Sequence, residues 1–381
     1  MTSPEMGSSA ADIAEFDLHG RVGIRLVDAR PRDVAAVERQ LGPIRAPLDR
    51  DPDIVIRFVD RLPLRGPLRY LGDRDVGFTD DAYVILRGRF HANVRVALPI
   101  DRLGGPCEIV CERGLPAVPL LIQILVLTAL WNGFIPLHAC AFIHGGQGVL
   151  VTGWAKGGKS ETLLAFGARG ATYVGDEWVF LNPEDRRMFG LPEPMRVWDW
   201  QLASMPAIKE RVARSDRARL AATRAAVRGA AITAAAPVVG RSAVGRLARR
   251  GQALLENQLS VQVPPEQLLP GTTFAGSARL DHVLLVMSQR ADSIDVETID
   301  PKLLAQRATE SFAFELMDLL AHRRRFRFAF GDRPMPYLDG FEERHRTSLA
   351  AALSDVPALS VRHPYPLEIP RLYDALADRL T

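Results

Sequence analysis

Residues 148–180 read GVLVTGWAKGGKSETLLAFGARGATYVGDEWVF, and the architecture can be inferred from them. Val149-Leu150-Val151-Thr152 is a short apolar run rich in β-branched residues, the pattern of a buried strand. Gly153 follows, then Trp154, Ala155, Lys156, Gly157, Gly158, Lys159 and Ser160, the G-x-x-x-x-G-K-[ST] spacing of a phosphate-binding loop. Glycines let backbone N–H groups turn inward onto phosphate oxygens with no Cβ in the way. A helix starting at the second glycine, with Glu161 in its first turn, adds its positive N-terminal end. In that geometry Lys159 reaches the β- and γ-phosphates and the Ser160 hydroxyl binds Mg²⁺. Glycine-rich turns also match such a pattern by chance. Two observations favour the phosphate loop over chance. A strand precedes it and the helix-forming run Glu161 to Phe166 follows it. Lysine is also scarce: four of the 48 basic residues are lysines, and two of them, Lys156 and Lys159, fall in this loop.

The helix stop falls at Gly167 or Gly170. A second strand, Ala171-Thr172-Tyr173-Val174, runs into Gly175-Asp176-Glu177. An acidic pair at a strand end suits Mg²⁺ binding and general-base chemistry, so Asp176 and Glu177 join Ser160 as candidate metal ligands. A right-handed crossover makes both strands point the same way and brings Asp176 beside the loop. The acidic strand returns sooner after the loop than in motor-type or GTPase-type P-loop proteins, which implies a different P-loop architecture. Upstream, Pro136 to Ile143 reads as a strand and His144-Gly145-Gly146-Gln147 as a hairpin with a Gly-Gly loop. In that register His144 faces Gln147 and His138 faces Gly153. His138 is then either a structural histidine or an imidazole beside the phosphates, and both readings stay open.

The run from His138 to Val179 resembles the catalytic domain of HPr kinase/phosphorylase and the bacterial HPr-kinase-like proteins. The likeness rests on His138 before the loop, the hairpin, the loop and first turn from Gly153 to Thr162, Arg169-Gly170 closing the helix, and Asp176-Glu177 at the next strand end. It implies a mixed α/β fold of the phosphoenolpyruvate-carboxykinase-like P-loop type. It also implies an ATP- and Mg²⁺-dependent kinase that transfers the γ-phosphoryl group to a hydroxyl. By position, Asp176 would be the general base, Lys159 and Ser160 would serve phosphate and metal, and His138 would sit near the base. The family commonly has Asp where this chain has Glu177. Its second signature is not found; Phe189 to Arg196 stands there, with Glu193 either a substitute metal ligand or part of a surface loop. The resemblance covers about forty residues and implies a serine or threonine acceptor on a protein or peptide. A small-molecule kinase for an amino acid or sugar, or a nucleotide-binding regulatory protein without transfer, are the alternatives.

The 381 residues carry a net charge of +3 and 47% hydrophobic residues, enough for a packed core and too little charge to argue for nucleic acid. Cys107 and Cys111 are spaced C-x₃-C with no second pair, against a zinc site and in keeping with a reduced cytoplasm. The N-terminus lacks the basic and apolar regions of a signal peptide. Residues 1–13 read as a disordered tail, 14–112 as a β-rich lobe of antiparallel strands, and 113–381 as the nucleotide-binding core. Leu115 to Trp131 is the most apolar stretch, interrupted by Pro119, Gln123 and Thr128, and reads as a buried helix rather than a membrane span. Residues 203–258 form a basic, alanine-rich insertion, expected as two helices split at Pro237 and Gly240. It is either a solvated face or a surface for an acidic peptide, a phosphorylated molecule or an anionic membrane. It lacks the interleaved aromatics that single-stranded nucleic acid would use. Leu259 to Val263 and Val283 to Met287 read as strands returning to the core. Pro301 to Leu320 reads as one amphipathic helix, Ser360 to His363 as a strand, and Pro370 to Leu380 as a closing helix. A homo-oligomer is compatible with this reading.

Overall fold

The computed structural model describes residues 14–87, 93–191, 193–235, 258–269, 276–331 and 333–380. The expected tail 1–13 and the second insertion helix past Pro237 lie outside them. The fold is mixed α/β, with two large sheets and one two-stranded ribbon.

Eight strands build the first sheet: Ala14–Leu18 (β1), Val22–Val27 (β2), Ile54–Val59 (β3), Arg69–Leu71 (β4), Val76–Phe78 (β5), Tyr83–Arg87 (β6), Asn93–Ala97 (β7) and Cys107–Glu112 (β8). Their order is β1-β2-β3-β8-β7-β6-β5-β4. The lobe is not purely antiparallel as expected, because β2, β3 and β8 run parallel. A parallel return needs a crossover, and the helix Pro31–Leu41 supplies one between β2 and β3. Its signal was present in Pro31 at the first turn and in Val34, Val37 and Leu41 at helical spacing.

The second sheet is organised around the hairpin of Ile135–His144 (β9) and Gln147–Gly153 (β10). Its register runs from Gln147 opposite His144 to Thr152 opposite Ala139, as the Gly-Gly turn predicts. On the far side of β9, the strands Thr172–Gly175 (β11) and Trp178–Leu181 (β12) share its length, both antiparallel to it. β10 and β11 therefore point the same way on either side of β9, with the helix Lys159–Gly167 crossing between them. Arg187–Gly190 (β13) extends the β12 edge. The ribbon pairs Met195–Trp198 (β14) with Ser260–Val263 (β15), so the second of these does not rejoin the core sheet as expected. Ala278–Arg279 (β16) pairs with β13. On the other flank, His282–Gln289 (β17) runs parallel to β10, Asp295–Thr298 (β18) is the edge, and Ala358–Pro364 (β19) lies parallel to β17.

Helices cover both faces of this sheet, so β9 and β10 read as continuous apolar runs rather than alternating ones. Cys140, Phe142 and Val151 face the loop helix and the helix Pro370–Leu376. Ala139, Ala141 and Leu150 face the helices Pro301–Glu315 and Phe341–Ala352. The expected single helix from Pro301 breaks at Leu316 and resumes as Met317–Phe330. The apolar helix is shorter than its apolar stretch, Leu121–Trp131, because Leu120 is left-handed at φ 62. It packs against both β2 and β9, and one core cluster runs from the first sheet through it to Trp178, Phe180 and Phe312. Among the described residues no helix is long and apolar enough to cross a membrane. The three cysteines are free and buried. Burial pushes the Cys107 and Cys111 thiols up to about 12.

Candidate functional site

β10 ends at Gly153, and residues 154–158 turn the chain into the helix Lys159–Gly167. Gly157 N donates to Trp154 O at 3.0 Å, and Lys156 takes the left-handed φ of 61 that this tight turn needs. No side chain caps the helix, so its first N–H groups are open to an anion. Lys159 is buried, with Nζ donating to the carbonyls of Gly153 (3.2 Å) and Trp154 (3.0 Å). An ammonium has three donors, so one is left for a phosphate oxygen. Burial holds Lys159 below the ordinary lysine value, against the pull of Glu177, Asp176 and Glu315.

The crossover brings Asp176 to the loop. Ser160 Oγ lies 3.2 Å from Oδ1 and 3.2 Å from Oδ2 of this buried carboxylate. Burial, and then the neighbouring Glu177 carboxylate, push Asp176 up to about 7. Glu177 adopts φ 63, a left-handed conformation that costs roughly 1–3 kcal/mol outside glycine. The turn is held by Trp178 N donating to Asp176 O (2.8 Å) and by Ala139 N donating to Glu177 O (3.2 Å). The strain serves to send two consecutive carboxylates apart. Asp176 goes inward to Ser160, while the half-exposed Glu177 turns to His138.

His138 Nε2 lies 3.4 Å from Glu177 Oε2, and Nδ1 lies 3.1 Å from Glu315 Oε1. The His138 contact holds Glu177 below the usual carboxylate range, an effect that water screens at this half-exposed side chain. Of the two repelling neighbours, Glu177 is thus the anion and Asp176 the one that keeps a proton longer. Glu193 lies in the loop between β13 and β14 and is part-buried there, and burial with Glu177 and Asp176 pushes it up to about 8. β13 comes this close because residue 190 is glycine: a Cβ there would lie 2.2 Å from Val174 O.

Several side chains at the site were not singled out in the sequence. Ser311 Oγ donates to Gly153 O at 2.9 Å and lies 3.4 Å from His138 Nδ1. Ser311 and Glu315 are one turn apart, and a polar position on a helix's inward stripe is the only signal either carries. His363, buried on β19, places Nε2 2.8 Å from Gly157 O and braces the loop. Buried Gln201 donates to Glu161 Oε1 at 2.8 Å, tying the first turn of the loop helix to the helix Asp199–Ser204. Trp154 is exposed, with its ring 4.7 Å from that of Phe314. Among the described residues no three His, Cys, Asp or Glu side chains converge on one metal position. Ser160 with one carboxylate, completed by phosphate oxygens and water, is nevertheless a donor set that suits Mg²⁺.

All of the loop positions expected from sequence, Gly153 through Glu161, thus lie at one end of the second sheet, with Asp176, Glu177 and His138 next to them. No family model matches the chain, and no curated protein matches its sequence significantly.

Proposed function

We propose that this chain is an ATP- and Mg²⁺-dependent kinase of the HPr-kinase-like type, with a phosphoenolpyruvate-carboxykinase-like P-loop core, acting on a hydroxyl of a protein or peptide. The observation that carries the reading is the contact of Ser160 with buried Asp176 beside a buried Lys159 that has a donor to spare. Ser160 and Asp176 would hold Mg²⁺, which would supply neutralisation of the developing phosphate charge. Lys159 and the open helix end hold the phosphates in place. Asp176 takes the proton of the acceptor hydroxyl as its oxygen bonds to the γ-phosphorus. The bond from that phosphorus to the β–γ bridging oxygen breaks, and ADP leaves. His138, held between Glu177 and Glu315, keeps the carboxylate beside the base fixed.

Transfer of label from γ-labelled ATP to candidate acceptor proteins tests this. Asp176→Asn should lower transfer about a thousandfold while the nucleotide still binds. Unchanged transfer in that variant removes Asp176 as the base.

A further inference from the structure

Outside the site, the most one-sided charge among the described residues lies on the helix Arg214–Ala235. Lys209, Arg211, Arg214, Arg217, Arg219, Arg224 and Arg228 precede or line it, against Glu210 and Asp216. Arg214, Arg217, Arg224 and Arg228 are spaced at three, ten and fourteen residues from the first. At a helical repeat these four fall within about 80° of one another, as a single stripe. The helix is anchored at its root. Leu220 is buried in the core beneath the loop helix, and Arg219 donates to Ser260 O at 2.8 Å. Arg224 grips Asp199 with two bonds, of 2.8 and 2.5 Å. Arg214 and Arg228 are exposed at the two ends of the stripe, and neither has an acidic partner among the described residues.

We propose that this arginine stripe docks an acidic segment of a protein partner. Charge complementarity selects the chemistry, since the exposed guanidinium groups of Arg214 and Arg228, unpaired with any acid among the described residues, on a helix anchored through Leu220 and Arg224 favour carboxylates. A membrane surface would need an apolar opposite face, and Ile232 is the one large exposed apolar side chain described on this helix. Position selects the partner. Asp199, which holds Arg224, opens the helix whose Gln201 binds Glu161, the residue after Ser160. The stripe is thus linked to the loop helix through Arg224, Asp199 and Gln201, and the partner is the phosphoryl acceptor. That last step rests on the kinase reading; the docking surface itself does not.

The test measures binding of a fluorescein-labelled glutamate-rich peptide to the full chain and to the Arg214→Glu/Arg228→Glu variant. A glutamine-for-glutamate peptide and phosphatidylcholine vesicles containing phosphatidylserine serve as competitors. The proposal requires salt-sensitive binding that falls at least about tenfold in the variant, equivalent to about 1.4 kcal/mol. Mg·ATP affinity should be equal in the two proteins, which shows that the variant is folded. Equal peptide binding by both, no binding by either, or displacement by vesicles alone overturns it. Peptide binding without any Mg·ATP binding keeps the surface and removes the kinase reading instead.

Discussion

At Gly158 the backbone takes φ 109, and a methyl group there would lie 2.3 Å from His363 Nε2. Gly158→Ala should cost roughly 2–4 kcal/mol in urea unfolding, from strain added to overpacking, and should weaken Mg·ATP binding as His363 is pushed from Gly157. His345 offers a separate test on stability. It is fully buried, with Nε2 2.8 Å from Pro136 O and Nδ1 2.8 Å from Thr309 Oγ1, and burial pushes it down to about 4. Because the folded value lies below the unfolded one, its contribution is complete above about pH 6.5 and is lost as the pH falls toward 4. Up to about 3 kcal/mol should disappear across that window, and His345→Gln should flatten that part of the pH–stability curve. An unchanged slope in the variant would assign the loss to other groups, with His322, also pushed down to about 4 by burial, the first to examine. The residues legible in the sequence were those whose partners are set by local spacing: Lys159 and Ser160 by the loop, Asp176 by one crossover, His138 by one hairpin. Ser311, Glu315 and His363 were not, because each reaches the site from a distant element and nothing in its own neighbourhood marks it.

Among the elements, the helix Pro301–Glu315 connects the site to the rest of the protein. One turn of it supplies Ser311 to Gly153, Phe314 to Trp154 and Glu315 to His138. Phe312 is fully buried, stacked on His345 and edge-on to Trp178. Phe312→Ala should cost about 3–5 kcal/mol in denaturant unfolding, since the cavity opens between well-packed rings. A loss below 1 kcal/mol would mean that this helix is not fixed against β9 and β12 as described. Strand and helix types were readable where apolar runs were long, as in β9, β10 and β17. The helix Pro31–Leu41 carries a signal in Pro31, Val34, Val37 and Leu41, but it is short and set among strand-like runs, and the parallel pairing of β2 and β3 depends on it. The break at Leu316 was not visible either, since helix-forming residues run straight through it.

For the whole molecule, the first and second sheets share a core, so the division at residue 112 does not mark an independent folding unit. Asn132 donates to Arg21 O (2.7 Å) and Asp53 Oδ1 (2.9 Å), and His19 Nε2 lies 3.0 Å from Gly190 O. Tyr83 Oη meets His322 Nδ1 at 2.9 Å across the same boundary. Scanning calorimetry should show one cooperative transition for residues that belong to both parts, and two well-separated transitions would argue for two units. This sharing was hidden from composition, because the apolar helix Leu121–Trp131 reads as part of the 113–381 core alone, while it packs against both β2 and β9. The proposed phosphoryl transfer requires the remaining Lys159 donor, beside the Ser160–Asp176 contact, to meet a phosphate. Isothermal titration of Mg·ATP into the full chain and into Lys159→Ala measures that, with saturable binding expected in the first and binding about a hundredfold weaker in the second. Equal affinity in the two proteins, or no binding by the unaltered chain, would show that the glycine loop is a structural turn and not a nucleotide site.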